Sequence, residues 1–301
     1  MIKSVIVTNY LGESIKLILG EPEKSGFLIK SITGLGSGKA DINTTKLSAI
    51  DGSAFNSAKV NERNIVITII FLEKDTIEDA RQLTYKYFPI KKPLELLIET
   101  DNRYCYVKGY VENNDPNIFS QQEQTQISII CPDPYFYSAG ETGKNVTVFS
   151  GIEPDFSFPF CNESLSEKML CMGIIQNKTE EVVTYNGDSE IGILITIHAV
   201  GSAKMVSIYN TGTREVMKID TDKLKALTGS WIITGDDIII STVKRNKYIH
   251  LIRSGKEYNV LNCLGKNSDW FSLTKGDNIF AFVAEEGSNN LQFKIENRVV
   301  S

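Results

Sequence analysis

Apolar and polar residues alternate along most of this chain with a period of two, in short runs rather than in long amphipathic stretches. In the first half these runs are "IKSVIVT" (2–8), "SIKLIL" (14–19), "GFLIKSI" (26–32), "ERNIVITIIFL" (62–72), "LELLIE" (94–99), "RYCYVKGYVE" (103–112) and "QTQISIIC" (124–131). Each is rich in Ile, Val, Tyr or Phe and is bounded by Gly, Asn, Asp or Pro, the signature of strands. The run "TDNR" (100–103), which joins 94–99 to 103–112, suits a hairpin turn. One segment has a different period. "DTIEDARQLTYKYF" (75–88) places Ile77, Ala80, Leu83 and Tyr87 on one helical face, and Pro89 ends it. Asp75 with Glu78 fits a capping box, and Glu78 and Asp79 put negative charge in the first turn. The second half returns to period two, from "KNVTVF" through "EEVVTYN", "ILITIH", "KMVSIYN" and "DIIIST" to "NLQFKIE", with one short helical pattern at 221–227. The pattern predicts a mainly β chain: a β-domain with one surface helix, then an antiparallel sandwich of jelly-roll type.

Two stretches break the alternation. Residues 33–61, "TGLGSGKADINTTKLSAIDGSAFNSAKVN", are long for a connection inside a compact domain and show no clear period. Such a segment is either a free surface loop or one that docks. Its scattered apolar residues, Leu35, Ile42, Leu47, Ile50 and Phe55, favour docking, for instance on a neighbouring chain. The second stretch is "CPDPYFYS" (131–138). Pro132 and Pro134 stop the preceding strand, because proline has no N–H to give a ladder and disfavours helix in the residue before it. Tyr135, Phe136 and Tyr137 are too apolar for a free linker, so they are expected to pack at a junction between domains 1–138 and 139–301. Two domains also suit 301 residues, since single cores stop growing at roughly 250–300.

Composition is that of an ordinary globular chain, 42% apolar and 23% charged. The net charge of −5 is spread over both halves, which argues against a general nucleic-acid binder. The N-terminal apolar run is too short for a signal peptide, and "IVITIIFL" (65–72) falls far below the ~20 residues a membrane helix needs. Five scattered cysteines without C-x-x-C spacing suggest neither a zinc site nor a disulfide framework, and read as reduced and mostly buried. "TGLGSGKAD" (33–41) fails as a phosphate-binding loop, with Thr33 at the first glycine position and Ala40 at the Ser/Thr position. His198 and His250 sit in strand-like runs, and no nucleophile or metalloprotease motif is present, so no catalytic residue, cofactor or metal is assigned and no enzyme is expected. Of the two tryptophans, Trp270, with Asn267 and Asp269 nearby, is the candidate for stacking on a sugar ring, against the ordinary expectation of a core tryptophan.

Taken together, "ITGLGSGKADINTT", "DGSAFNSAKVNERNIVITIIFLE", "TIEDARQLTYKYFPIKKPLELLIETD" and "GYVENNDPNIFSQQEQTQISIICPDPYFYS" resemble the distal tail proteins of long-tailed bacteriophages, over roughly residues 30–138. The resemblance implies a ring-forming N-terminal domain with one helix, assembled six-fold, and a C-terminal galectin-like sandwich displayed outward. It implies a structural role at the virion tail, where the ring would join the tail tube to the tail tip and serve as a hub for baseplate assembly. DNA would pass through the ring without specific contact, no membrane would be involved, and particles would assemble in the host cytoplasm. In that frame residues 33–61 become an inter-subunit arm. Two alternatives stay open: a carbohydrate-binding sandwich module protein, which would form no ring, and a tail tube subunit, against which the large second domain speaks.

Overall fold

A computed structural model describes residues 1–46, 48, 51–72, 76–117, 122–140, 144–153 and 174–300. The chain divides into two compact units, one ending before Lys144 and one spanning Lys144–Val300.

The first unit contains β1 (Ile2–Thr8), β2 (Ser14–Ile18), β3 (Phe27–Thr33), β4 (Ala40–Lys46), β5 (Ser53–Val60), β6 (Arg63–Phe71), α1 (Ile77–Tyr87), β7 (Pro93–Thr100), β8 (Tyr104–Asn117), β9 (Gln124–Cys131) and β10 (Tyr137–Ser138). Its main sheet is antiparallel, in the order β2-β1-β7-β8-β9-β6-β3, with β10 added on β8. The period of two expected from sequence appears directly as burial. In β6, Ile65, Ile67, Ile69 and Phe71 face the core, and they meet Ile127, Ile129 and Cys131 of β9 and Leu94, Leu96 and Ile98 of β7. Gly109 in β8 lacks a side chain where Ile129 and Cys131 cross it, and a Cβ there would lie 2.7 Å from Ile129 Cγ2.

α1 lies on this core through the face read from sequence: Ile77, Ala80, Leu83 and Tyr87 all pack against it. Its N-cap differs from the expected Asp75–Glu78 box. Thr76 is the cap: its Oγ1 accepts the Asp79 N–H at 3.1 Å and donates to the Asp79 carboxylate at 2.6 Å, while Asp75 lies outside the described residues. A buried polar chain also ties the helix to the sheet. Thr125 Oγ1 donates to Asn114 Oδ1 at 2.6 Å, and Asn114 Nδ2 reaches Thr84 Oγ1 at 3.4 Å.

The larger departure concerns residues 33–61. Rather than an irregular connection, β4 and β5 form a two-stranded antiparallel hairpin that pairs with no other strand. Every residue of both strands is solvent-exposed. A bulge between Asn43 and Thr44 shifts the register, which is why no steady period was visible in the sequence.

The second unit contains β11 (Lys144–Val148), β12 (Ser150–Glu153), β13 (Ile174–Asn177), β14 (Glu180–Tyr185), β15 (Leu194–Ala199), β16 (Lys204–Asn210), β17 (Glu215–Ile219), α2 (Thr221–Thr228), β18 (Asp237–Ser241), β19 (Tyr248–Arg253), β20 (Lys256–Asn259), β21 (Gly276–Glu286) and β22 (Leu291–Arg298). A six-stranded sheet, β11-β22-β15-β18-β19-β20, faces a four-stranded one, β14-β21-β16-β17, and β12 pairs with β13 apart from both. Phe282 of the four-stranded sheet stacks on Phe293 of the six-stranded sheet with centroids 3.5 Å apart, and Phe149 packs on both rings. This is the β-sandwich the alternation predicted. The short helical pattern at 221–227 is α2, capped by Asp220 and closed by Gly229 in the left-handed region.

Asp236, the first of two adjacent acidic residues, is buried at 1% exposure in this sandwich. Arg253 grips it through two hydrogen bonds, Nε to Oδ1 at 2.8 Å and Nη2 to Oδ2 at 2.6 Å. The remaining guanidinium donors reach Thr228 Oγ1, Ser230 Oγ and the Trp231 carbonyl, so the pair fixes the loop between α2 and β18. Removing one partner of a buried, fully bonded pair strands the other. Asp236→Ala is expected to cost the second unit roughly 3–5 kcal/mol. Both tryptophans of the chain, Trp231 and Trp270, lie in this unit, so urea unfolding followed by tryptophan fluorescence reads it alone. A loss below about 1 kcal/mol would place the pair among weak surface contacts.

Candidate functional site

The residues singled out by sequence in the first unit converge on one side chain the sequence did not mark, Arg63. It opens β6 with 8% of its surface exposed. No carboxylate pairs with it among the described ion pairs. Its hydrogen bonds run instead to main-chain carbonyls: Nε donates to Pro134 at 2.6 Å, and Nη1 donates to Gly34 at 2.6 Å and also to Gly36. The guanidinium carbon lies 4.6 Å from the centre of the Phe136 ring, a cation–π contact. Burial pushes its pKa below the ordinary guanidinium value, yet arginine stays charged at any pH the protein meets. The same burial pushes the adjacent Cys131 thiol up to about 11, so it is an unreactive core thiol.

Three segments distant in sequence are thereby tied together. The first is the root of the β4–β5 hairpin. Gly34 has φ +84°, and a Cβ there would lie 2.1 Å from the Asn64 carbonyl oxygen, so the "GLGSG" run is a turn only glycine can start. Leu35, expected on a docking arm, packs partly buried against the unit's own core. Ile42 and Phe55 stand on the hairpin at 61% and 66% exposure, while Leu47 and Ile50 lie outside the described residues.

The second segment is the turn after β9. Pro132 is exposed, Pro134 buried and Tyr135 half-buried. Phe136 belongs to the first unit's core beneath Arg63. Tyr137 opens β10 opposite Tyr106, stacks on its ring at 5.7 Å and donates its hydroxyl to Asp133 at 2.7 Å. Burial, then the bond to Asp133, pushes the Tyr137 pKa up. The third segment is β6 itself, which carries Arg63 into the sheet.

In the second unit Trp270 is half-buried with the Lys247 ammonium 5.0 Å from its ring centre. Its neighbour Asp269 has another task. With Ser268 and Gly265 it hydrogen-bonds the outer edge of β17, at Val216 and Lys218. Trp231 is the other tryptophan, which the sequence ranks below Trp270. It borders a depression of about 360 Å³ with Lys204, Glu286 and Asn290, but Lys204 and Lys225 lie 4.4 and 4.0 Å from its ring centre. His198 and His250 each meet a carboxylate, Asp237 and Glu257. Among the described residues no group of three or more His, Cys, Asp or Glu is arranged to hold a metal, and no helix is long and apolar enough to cross a membrane.

No protein-family model and no curated protein sequence matches the chain. Solved structures do. The chain is similar to the SPP1 Dit protein (gp 19.1), described as a paradigm of the hub adsorption apparatus of phages infecting Gram-positive bacteria, with 11% identity, a TM-score of 0.66 and 99% of each chain covered. It is also similar to a chain of the phage P2 baseplate in its activated conformation with Ca, at 10% identity, TM-score 0.53 and 99% coverage of both chains. The same baseplate with Sr gives 10% identity, TM-score 0.52 and 98% coverage of both. At such identities the likeness is one of fold, and it extends over both units.

Replacing Arg63 by methionine keeps much of the stem but leaves the Gly34, Gly36 and Pro134 carbonyls without their donor. Arg63→Met is expected to destabilise the first unit by roughly 3–5 kcal/mol, from unsatisfied acceptors at about 1–3 kcal/mol each partly relieved by water. It should also expose 34–61 to limited proteolysis, with Arg63→Lys intermediate. Wild-type proteolysis rates in Arg63→Met would remove Arg63 from this role.

Proposed function

We propose that this chain is a distal tail protein of a phage or phage-like particle: a structural subunit whose copies form a six-fold ring between the tail tube and the tail-tip or baseplate hub. Residues 1–138 would build the ring, and 139–301 would be the sandwich carried outside it. The observation that carries the reading is the fold match to a phage hub protein over 99% of both chains, which includes the order of the two units and not only a common β-sandwich. Fold alone does not give function. Here a second feature agrees with it: a hairpin whose strands are wholly exposed is poorly suited to a monomer and well suited to an assembly. The net charge of −5 fits a ring through which DNA passes without being held, because retention on phosphate requires clustered cations. The role requires no turnover of a substrate. It places the protein in the virion tail.

Light scattering on the purified full chain, with negative-stain images of the same peak, tests this reading. Six copies of a 33.6 kDa chain should give a particle of about 202 kDa, seen as a ring with a central hole and peripheral knobs. A particle that remains at 33.6 kDa across the accessible concentration range, with or without isolated tail tubes, would overturn it.

A further inference from the structure

The hairpin has two unlike faces. Its register pairs Ala40 with Val60, Ile42 with Ala58 and Thr44 with Phe55, which puts Ala40, Ile42, Phe55, Ala58 and Val60 on one side. The other side carries Asp41, Asn43, Ser57 and Lys59. Among the described residues nothing covers the apolar side, and Ile42, Phe55 and Val60 all remain exposed. An isolated two-stranded hairpin is marginal in water, and a third layer on an apolar face is what would hold it.

A second apolar corner of the same unit is also bare. Tyr10 and Leu11 in the turn from β1 to β2, and Ile90 just beyond α1, are each about half exposed or more. The corner is built rather than loose. Asn9 Nδ2 donates to the Lys86 carbonyl at 3.1 Å, Lys86 pairs with Glu13 at 2.9 Å, and the Lys92 ammonium lies 5.3 Å from the Tyr10 ring centre. Asn9 Oδ1 accepts from the Leu11 and Glu13 N–H groups and so fixes the turn.

The sheet places the two features at one end and on different edges. Thr8 lies opposite Glu95, Pro93 opposite Tyr110, Tyr110 opposite Ile130, and Ile130 opposite Asn64. The turn after Thr8 and the hairpin root before Asn64 therefore share an end of the sheet. The turn belongs to the β2–β1 edge and the hairpin to the β6–β3 edge, four strand spacings of roughly 4.8 Å apart along the sheet. A head-to-tail interface needs two different, complementary patches on one subunit, placed so that repetition closes a ring. At roughly 3.3 Å per residue the seven residues of β4 carry the apolar face roughly 20 Å off its root, far enough to leave its own subunit.

We infer that the apolar face of the β4–β5 hairpin of one copy docks on the Tyr10–Leu11–Ile90 corner of the next copy of this chain. The inference rests on the ring reading above and names the acceptor that reading lacks. It is tested with the double variant Leu11→Cys/Phe55→Cys, treated with a flexible bis-maleimide and run on a denaturing gel, beside each single variant and wild type as controls for the native cysteines. Tyr10→Cys/Ile42→Cys repeats the test with different geometry. Both positions of each pair are exposed, so folding should be unaffected. The expected result is a ladder of linked chains rising to six in the double variants, several-fold above either single variant. Particles of ring mass whose double variants give no ladder, or only a fast-migrating internally linked monomer, overturn the docking and leave the ring standing. Wild-type protein that never leaves the monomer mass overturns the ring, and this interface with it.

Discussion

A buried cation that no described carboxylate pairs with governs the first unit. Placing the Arg63 guanidinium in the protein interior costs several kcal/mol of solvation, and a point-charge partner is the usual remedy. Here three carbonyl oxygens and the face of Phe136 share that task. The fork geometry of arginine makes this feasible, since its donors point in fixed, diverging directions and can hold several chain segments at once. Gly34 and Gly36 at the hairpin root, and Pro134 in the turn after β9, are set by the same side chain. A hairpin that pairs with no strand but its own partner takes its direction from its root alone, so this one residue decides where the arm points.

The two units treat exposed strand edges in opposite ways. In the sandwich the β17 edge is sealed, with Gly265, Ser268 and Asp269 bonded to its outer N–H and C=O groups. That removes a template for unwanted pairing. The Asp236–Arg253 pair closes the loop beside α2 in the same spirit. The first unit instead leaves a hairpin outside its core with an apolar stripe facing water. Sealed edges suit a domain that is to remain separate from its copies. An open stripe suits one that is to be completed by them.

The main sheets were legible because each of their strands has one face on a core, and a period of two survives in the sequence wherever that holds. The face of α1 was legible for the equivalent reason at helical spacing. Its cap was misplaced by one residue, because Asp75–Glu78 and Thr76–Asp79 both satisfy the capping pattern and only geometry chooses the hydroxyl. The β4–β5 hairpin escaped because neither strand is buried and the bulge at Asn43–Thr44 breaks the alternation of its apolar residues. Arg63 left no trace at all. Its partners are carbonyls, which every residue carries, so no spacing of side chains could have pointed to it. The Asp236–Arg253 pair is hidden for a related reason: adjacent acidic residues look alike in sequence, and only the fold brings an arginine 17 positions away to one of them.

An apolar stripe exposed on a monomer is a liability, open to contact with any similar surface. The arrangement here limits that hazard. The stripe is narrow, of five residues of which two are alanine, and it lies on a hairpin too small to be firmly ordered by itself. A single encounter therefore buries little area and must offset the cost of ordering the arm, which keeps isolated pairs weak. A closed ring changes the balance. In the proposed ring each copy would both give an arm and receive one, so every contact would be held in place by the others, and the last would close without bringing in a new free chain. Rigidity at the root is what makes this cooperative. An arm that swung freely would lose its orientation with each contact. One whose root is clamped at Arg63 would start toward the proposed neighbour at a fixed angle, and a constant angle is the geometric requirement for a ring rather than an open filament.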